Sequence, residues 1–250
     1  GVADNTMVVF LSDNGRPFPR CKTTLYDSGI KTPLLVRFPG VVTPGSTCRS
    51  IVSSVDLAPT ILDICKVRAP KTFQGRSFSP LLTRPSKTIR RYAYAEHNWH
   101  VHQAHERLVR WKNWSYIRNA FPERQLLCVE AGPKFPSGKE LWEEEAKGRL
   151  KAHQRDIFLK PRPPEELYDL SADPHQLNNL ASDKRHVSVL SKLRNSLDRW
   201  TKETADSVPE NPTNDRQDAH GKKYRNHKRG PMPGAELNST RNNHPGPLRE

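Results

Sequence analysis

Apolar residues are scarce in this chain, 34% of 250, below the share a globular domain ordinarily carries. The core must therefore be concentrated in part of the length, and the 22 prolines point to irregular backbone elsewhere. No apolar run approaches the ~20 residues needed to cross a bilayer, and no charged start leads into the apolar core of a secretion signal, so the compartment is not legible. The four cysteines, Cys21, Cys48, Cys65 and Cys128, lie far apart without a C-x-x-C pair. That spacing excludes a zinc knuckle and a dithiol redox motif and leaves any disulfide pairing open. Zinc-finger, RNP and helix-turn-helix spacings are missing, as is any internal repeat. The formal charge of +14, from 41 Lys and Arg against 27 Asp and Glu, is thus read as a solvated basic surface suited to an anionic partner and not as a nucleic-acid site. The strongest basic cluster, Lys222 to Arg229 (KKYRNHKR), stands in a polar segment with no apolar periodicity.

What the chain does contain is ordered along its length. Thr6 to Ser12 (TMVVFLS) is a short continuous apolar run, the pattern of a strand covered on both faces in a parallel sheet. Pro33 to Phe38 (PLLVRF) repeats it after a loop of about twenty residues, long enough to suggest a functional role. Asp56 is placed to cap a helix through Leu57, Ile61, Ile64 and Cys65, with Pro59 in its first turn. From Arg90 the runs RYAYAEH, ERLVRW and WSYIRN predict a small antiparallel sheet. Glu140 to Ala152 predicts a charged helical insertion, and Glu166 to Leu170 a further strand. Asp183 to Thr204 puts Val187, Leu190, Leu193, Leu197 and Trp200 on one helical face.

The run from Val8 to Gly40 carries the most specific pattern. A strand leads into Ser12-Asp13-Asn14-Gly15, then Lys22-Thr23-Thr24-Leu25-Tyr26-Asp27-Ser28-Gly29-Ile30, then Pro33-Leu34-Leu35-Val36 and Pro39-Gly40. This resembles the sulfatase family within the alkaline phosphatase superfamily. Ser54 to Leu62 and Glu166-Leu167-Tyr168-Asp169-Leu170, with Asp173-Pro174 and Asn179-Leu180, resemble that family's downstream landmarks in order. The short spacer Arg16 to Cys21 is similar to the heparan N-sulfatase (N-sulfoglucosamine sulfohydrolase, sulfamidase) branch.

The resemblance implies an α/β fold: the C-terminal part of a sulfatase-like sheet sandwiched by helices, plus a small antiparallel sheet packed by a C-terminal helix. Its expected divisions are residues 1–85 as the end of the catalytic α/β domain and 86–205 as the small sheet with its helix; from about Asp206 Pro, Asn, His and Lys dominate, and that composition predicts 206–250 as a disordered tail. An exported, periplasmic, extracellular or lysosomal location is implied on the same basis.

The chemistry of the motif agrees with the resemblance. A carboxylate and an amide oxygen side by side, Asp13 and Asn14, are hard donors suited to Ca²⁺, with Mg²⁺ as the alternative. Gly15 lets the backbone turn away from the ion. The Lys22 ammonium is placed to meet a sulfate oxygen and offset charge on the leaving group. Glu96 and His97, ending RYAYAEH, are expected to face the cleft and hydrogen-bond a sugar hydroxyl. The histidines of HNWHVHQAH fit no H-x-x-x-H helix, and packing is preferred to metal ligation for them.

The family's nucleophile motif, C/S-x-P/A-x-R, whose Cys or Ser becomes formylglycine, does not occur in these residues. The expectation is therefore the C-terminal part of a longer sulfatase, with formylglycine and the remaining metal ligands in an N-terminal part. The full enzyme would cleave sulfate esters or sulfamates of a sulfated sugar or glycan, and the piece alone would be inactive. Phosphate or phosphonate ester hydrolysis on the same fold and a non-catalytic glycan-binding module are the alternatives.

Overall fold

The computed structural model describes residues 1–237. They fall into two compact units, one of residues 1–12 and 33–93, the other of 13–32 and 94–237. The long loop, expected to belong with the first strand, is thus a part of the second unit.

In the first unit, β1 (Val8–Leu11) pairs with β2 (Leu34–Arg37) in antiparallel register, Val8 opposite Arg37 and Leu11 opposite Leu34. The parallel pairing suggested by the continuous apolar runs is not found. Both strands are short, each has one neighbour among the described residues, and the chain returns directly between them, which permits antiparallel pairing. Among the described residues the partners Phe10 and Leu35 are 61% and 63% exposed. Phe78, Leu81 and Leu82 form the core, with Val36, Phe38, Leu57 and Ile64 against it.

Helix α2 (Leu57–Ile64) forms where the periodicity predicts it. Asp56, however, does not cap it. Its side chain accepts from Ser53 N at 2.8 Å, closing a capping box over the preceding 3₁₀ turn, and from Arg76 N at 2.8 Å, and it pairs with Arg90. Thr60 donates to the Asp56 carbonyl at 2.6 Å and accepts from Phe78 N, tying in α3 (Ser79–Thr83). Gly75 is required here, since a Cβ would meet the Val55 carbonyl at 1.8 Å.

In the second unit, β3 (Tyr92–His100), β4 (His102–Trp111), β5 (Trp114–Asn119) and β6 (Glu165–Asp169) form one sheet in that order. The β4–β5 and β5–β6 pairs are antiparallel, with Trp111 opposite Trp114 and Tyr116 opposite Leu167. Helix α5 (Val187–Glu203) packs on β4 and β5, burying Leu190, Leu193 and Leu197. Of its predicted face, Trp200 stacks on Tyr94 at 5.5 Å, while Val187 stays exposed. The charged insertion is helical as α4 (Pro136–Ala146), which begins four residues earlier and ends six residues earlier than the span expected from Glu140 to Ala152. Residues 206–237, expected as part of a tail, are tied to this sheet through Asp206 on Arg107 and Asp215 on Gln103 N; 238–250 lie outside the described residues. All four cysteines are free, with Cys128 buried and its thiol pushed up to about 11 by that burial.

Asp56 is wholly buried, so Asp56→Ala would strand Arg90 and two backbone donors. The expected loss is about 3–5 kcal/mol of unfolding free energy, read by urea denaturation. A loss below 1 kcal/mol would show that the carboxylate does not organise this unit.

Candidate functional site

The loop between the first two strands folds back on itself before it meets anything else. Gly15 N donates to Gly29 O at 2.8 Å. A Cβ at Gly15 would lie 1.9 Å from the Ser28 carbonyl, and one at Gly29 2.3 Å from the Cys21 carbonyl. Both glycines are therefore demanded by close backbone approach. Lys22 N donates to Arg16 O at 3.1 Å, and Thr24 and Ser28 hydroxyls donate to the Cys21 and Arg20 carbonyls. Asp27–Ile30 is a single helical turn, α1.

This closed loop is anchored in the sheet. Leu25 and Tyr26 join Leu108, Ile117, Leu126 and Tyr168 in one core cluster. Tyr26 and Tyr168 hydroxyls both donate to Glu166 Oε2, at 2.8 and 2.6 Å. Arg162 lies 3.7 Å from Glu166 and 2.6 Å from Glu106, whose other oxygen is 2.9 Å from His97 Nδ1. Arg20 stacks over Tyr26 at 3.8 Å, pairs with Asp156, and donates to the His175 and Gln176 carbonyls. Arg110 holds Asp27 at 2.8 Å.

Asp13 and Asn14 stand at the start of the loop. Asp13 is exposed, and its Oδ1 accepts the Asn14 backbone N–H at 2.9 Å, while the Asn14 amide donates to Gly15 O. Lys22 Nζ lies 3.5 Å from Glu130 Oε1. Glu130 is buried, and its Oε2 has no hydrogen-bond partner among the described residues. Glu96 and His97 do not share a direction, because neighbours along a strand face opposite sides. His97 turns inward to Glu106, whereas the Glu96 side chain is 51% exposed and sits 3.7 Å from Arg107. His105 is buried, with Nε2 2.9 Å from the Ser207 carbonyl and from Arg107. Among the described residues no three His, Cys, Asp or Glu side chains gather as a metal cluster.

Sequence reasoning missed Glu130, Glu106 and Arg162. Glu106 had a usable signal, since Leu108 two residues on shares its face and is buried. Glu130 had a weaker one, an acid inside the apolar Cys128-Val129-Glu130-Ala131 run.

The family described as N-sulphoglucosamine sulphohydrolase, C-terminal, matches residues 20–131, which hold Lys22, Tyr26, Glu106 and Glu130. Among known relatives, an ulvan-active sulfatase of Formosa agariphila is 34% identical over 210 residues, covering 80% of this chain and 33% of that protein. The human N-sulphoglucosamine sulphohydrolase is 33% identical over 224 residues, covering 82% and 43%. The chain belongs to the sulfatase family. It spans about a third to two-fifths of the length of these sulfatase relatives. The fold is shared with a protein solved in complex with its substrate D-glucosamine-2-N,6-O-disulfate, at TM-score 0.56 and 23% identity, over 80% of this chain and 34% of that one.

In this sulfatase chain the anchoring network sets a pH dependence. Burial opposes ionisation of Glu106, but Arg162 and His97 outweigh it and hold the carboxyl down at about 2. Burial pushes Glu166 up, against Arg162 and the two tyrosines. A depressed carboxyl contributes stability above the unfolded glutamate value, about 4.3, and loses it as pH falls toward 2. Glu166 works in the opposite sense, its cost vanishing on protonation. Glu106→Gln should therefore be less stable at pH 6, by about 3 kcal/mol, and flatter between pH 5 and 2 in chemical denaturation. Equal slopes for both proteins would contradict this assignment.

Proposed function

We propose that the chain supplies the C-terminal part of a sulfatase that hydrolyses sulfate esters or sulfamates of a sulfated sugar or glycan. One observation carries the reading: the Ser12-Asp13-Asn14-Gly15 motif runs into a closed, core-anchored loop that holds the Lys22 ammonium 3.5 Å from a buried carboxylate. The names of the relatives, a sulfamidase and an ulvan-active sulfatase, support a sulfated saccharide as substrate.

Asp13 and Asn14 fit a divalent cation in kind but not in number. Their oxygens are hard and adjacent, whereas Ca²⁺ gathers six to eight donors. They would be the share of the Ca²⁺ or Mg²⁺ site held by these residues. Such a cation, when bound, offsets the charge of a sulfo group. Lys22 orients the sulfo group by a charge-assisted hydrogen bond. Glu130 restrains the lysine electrostatically, its Oε1 lying 3.5 Å from the ammonium, which is the charge that compensates burial of this carboxylate. Glu96, the exposed member of its pair, would accept from a sugar hydroxyl. The nucleophile motif is absent from these residues, so the chain alone binds without turning over.

Incubated with Ca²⁺ and glucosamine N-sulfate or 6-O-sulfate, the chain is expected to release no sulfate above a blank. Calorimetry should show weak Ca²⁺-dependent binding of the same sugars that Lys22→Ala and Asp13→Ala each remove. Sulfate release would refute the inactivity of the chain alone, and binding indifferent to both substitutions would refute the site.

A further inference from the structure

The basic cluster Lys222 to Arg229 is the strongest feature of the sequence that the proposed function leaves unused. It does not hang free. Asn214 to Asp218 and Lys222 to Lys228 are the two arms of a hairpin, with Asp218 N donating to Lys222 O at 3.0 Å, Tyr224 N to Arg216 O at 3.0 Å and Asn214 N to Lys228 O at 3.1 Å. The first arm is fixed to the turn between β3 and β4. Arg216 N donates to the Val101 carbonyl at 2.7 Å, Gln103 N to Asp215 at 2.6 Å, and the Trp99 indole to the Asn214 carbonyl at 2.9 Å. On the second arm His227 packs against Trp99 at 5.5 Å. At the tip, Lys134 donates to the Gly221 carbonyl at 2.9 Å.

The backbone is thus pinned while the cations point outward. Lys222, Lys223, Arg225, Lys228 and Arg229 are exposed; Asp218 at the turn accepts the Lys222 N–H at 2.8 Å, and among the described residues none of the five side chains forms a salt bridge. Between hairpin and sheet lies a cleft of about 470 Å³, within the ~300–1,000 Å³ that ligand sites span, lined by Gln103, Arg124, Asn214, Tyr224, Arg225 and Asn226. Its one carboxylate, Asp215, is already neutralised by Arg124. Amides and a phenol inside, with unpaired cations around, suit a ligand that is rich in hydroxyls and carries several negative charges. A nucleic acid would call for several stacking aromatics along the track, and the cleft offers Tyr224 alone.

We infer that this hairpin and its cleft bind a sulfated oligosaccharide, through Arg225 and the flanking lysines to sulfate groups and through Gln103, Asn214 and Asn226 to sugar hydroxyls. The choice of glycan over other polyanions rests on the function proposed above. Holding the cations on a pinned backbone lowers the ordering cost that a free tail would meet on binding.

The test is calorimetry on the chain in the presence of a chelator, so that no cation sits at Asp13 and Asn14 and the signal reports the hairpin. A heparin-type hexasaccharide should bind, and its fully desulfated counterpart should not. The Lys223→Glu/Arg225→Glu/Lys228→Glu variant should bind on the order of tenfold more weakly, with a shallower dependence on salt. Arg225→Gln/Lys228→Gln repeats the test with a milder change, and circular dichroism checks that both variants are folded. Undiminished binding in both folded variants would overturn the proposal. So would equal binding of the desulfated sugar, or binding of single-stranded DNA of matched charge that is as tight and equally lost in the variants. Absence of Ca²⁺-dependent binding leaves this inference standing, and loss of the hairpin's binding leaves the hydrolase reading standing.

Discussion

Glu166 is a carboxylate buried in the core, and most of what surrounds the motif-bearing loop exists to make that burial tolerable. A lone ion there would cost several kcal/mol. Two tyrosine hydroxyls and the Arg162 guanidinium surround it instead. One of those tyrosines, Tyr26, belongs to the loop and the other, Tyr168, to β6. The loop cannot leave the sheet without stranding the charge, so residues 13–32 form one compact unit with residues 94–237 and not with the strand that precedes them in sequence.

The same arrangement makes Lys22 a defined feature and not a mobile surface side chain. The loop is closed at its base by two glycines in backbone contact and braced by Arg20, which reaches across to Asp156 and two carbonyls. Lys22 then meets Glu130 from a segment more than a hundred residues away. Pairing of a partly exposed ammonium with a buried, otherwise unsatisfied carboxylate is a weak source of stability but a good way of holding one charge in place.

Much of the architecture could be read from residue patterns. The runs from Arg90 onward alternate and turn as a small sheet does, and the Leu190, Leu193 and Leu197 spacing gives a helix that packs on it. Asp13, Asn14 and Lys22 stood out because a strand led into hard oxygen donors and a lysine. Other features escaped for identifiable reasons. The apolar runs of β1 and β2 suggested parallel strands covered on both sides, yet periodicity carries no information on strand direction. Asp56 looked like a helix cap, but a carboxylate at that point can equally reach Arg76 and Arg90 in the next segment. Glu96 and His97 were taken together because they are adjacent, although adjacency in a strand separates side chains to opposite faces. The polar composition after Asp206 suggested disorder, whereas the hydrogen bonds from Asp206 and Asp215 to the sheet are individual contacts that composition does not register.

What the sequence determined by itself was therefore local: where helices and strands form, which loop carries the oxygen donors and the lysine, and which family the chain resembles. Those properties depend on residues within a few positions of each other. The tertiary structure alone decided that the loop belongs with the antiparallel sheet, that Lys22 is matched to Glu130, and that the basic segment is a braced hairpin. Each of these depends on a contact across tens to more than a hundred residues, where burial and charge pairing, not periodicity, select the partner.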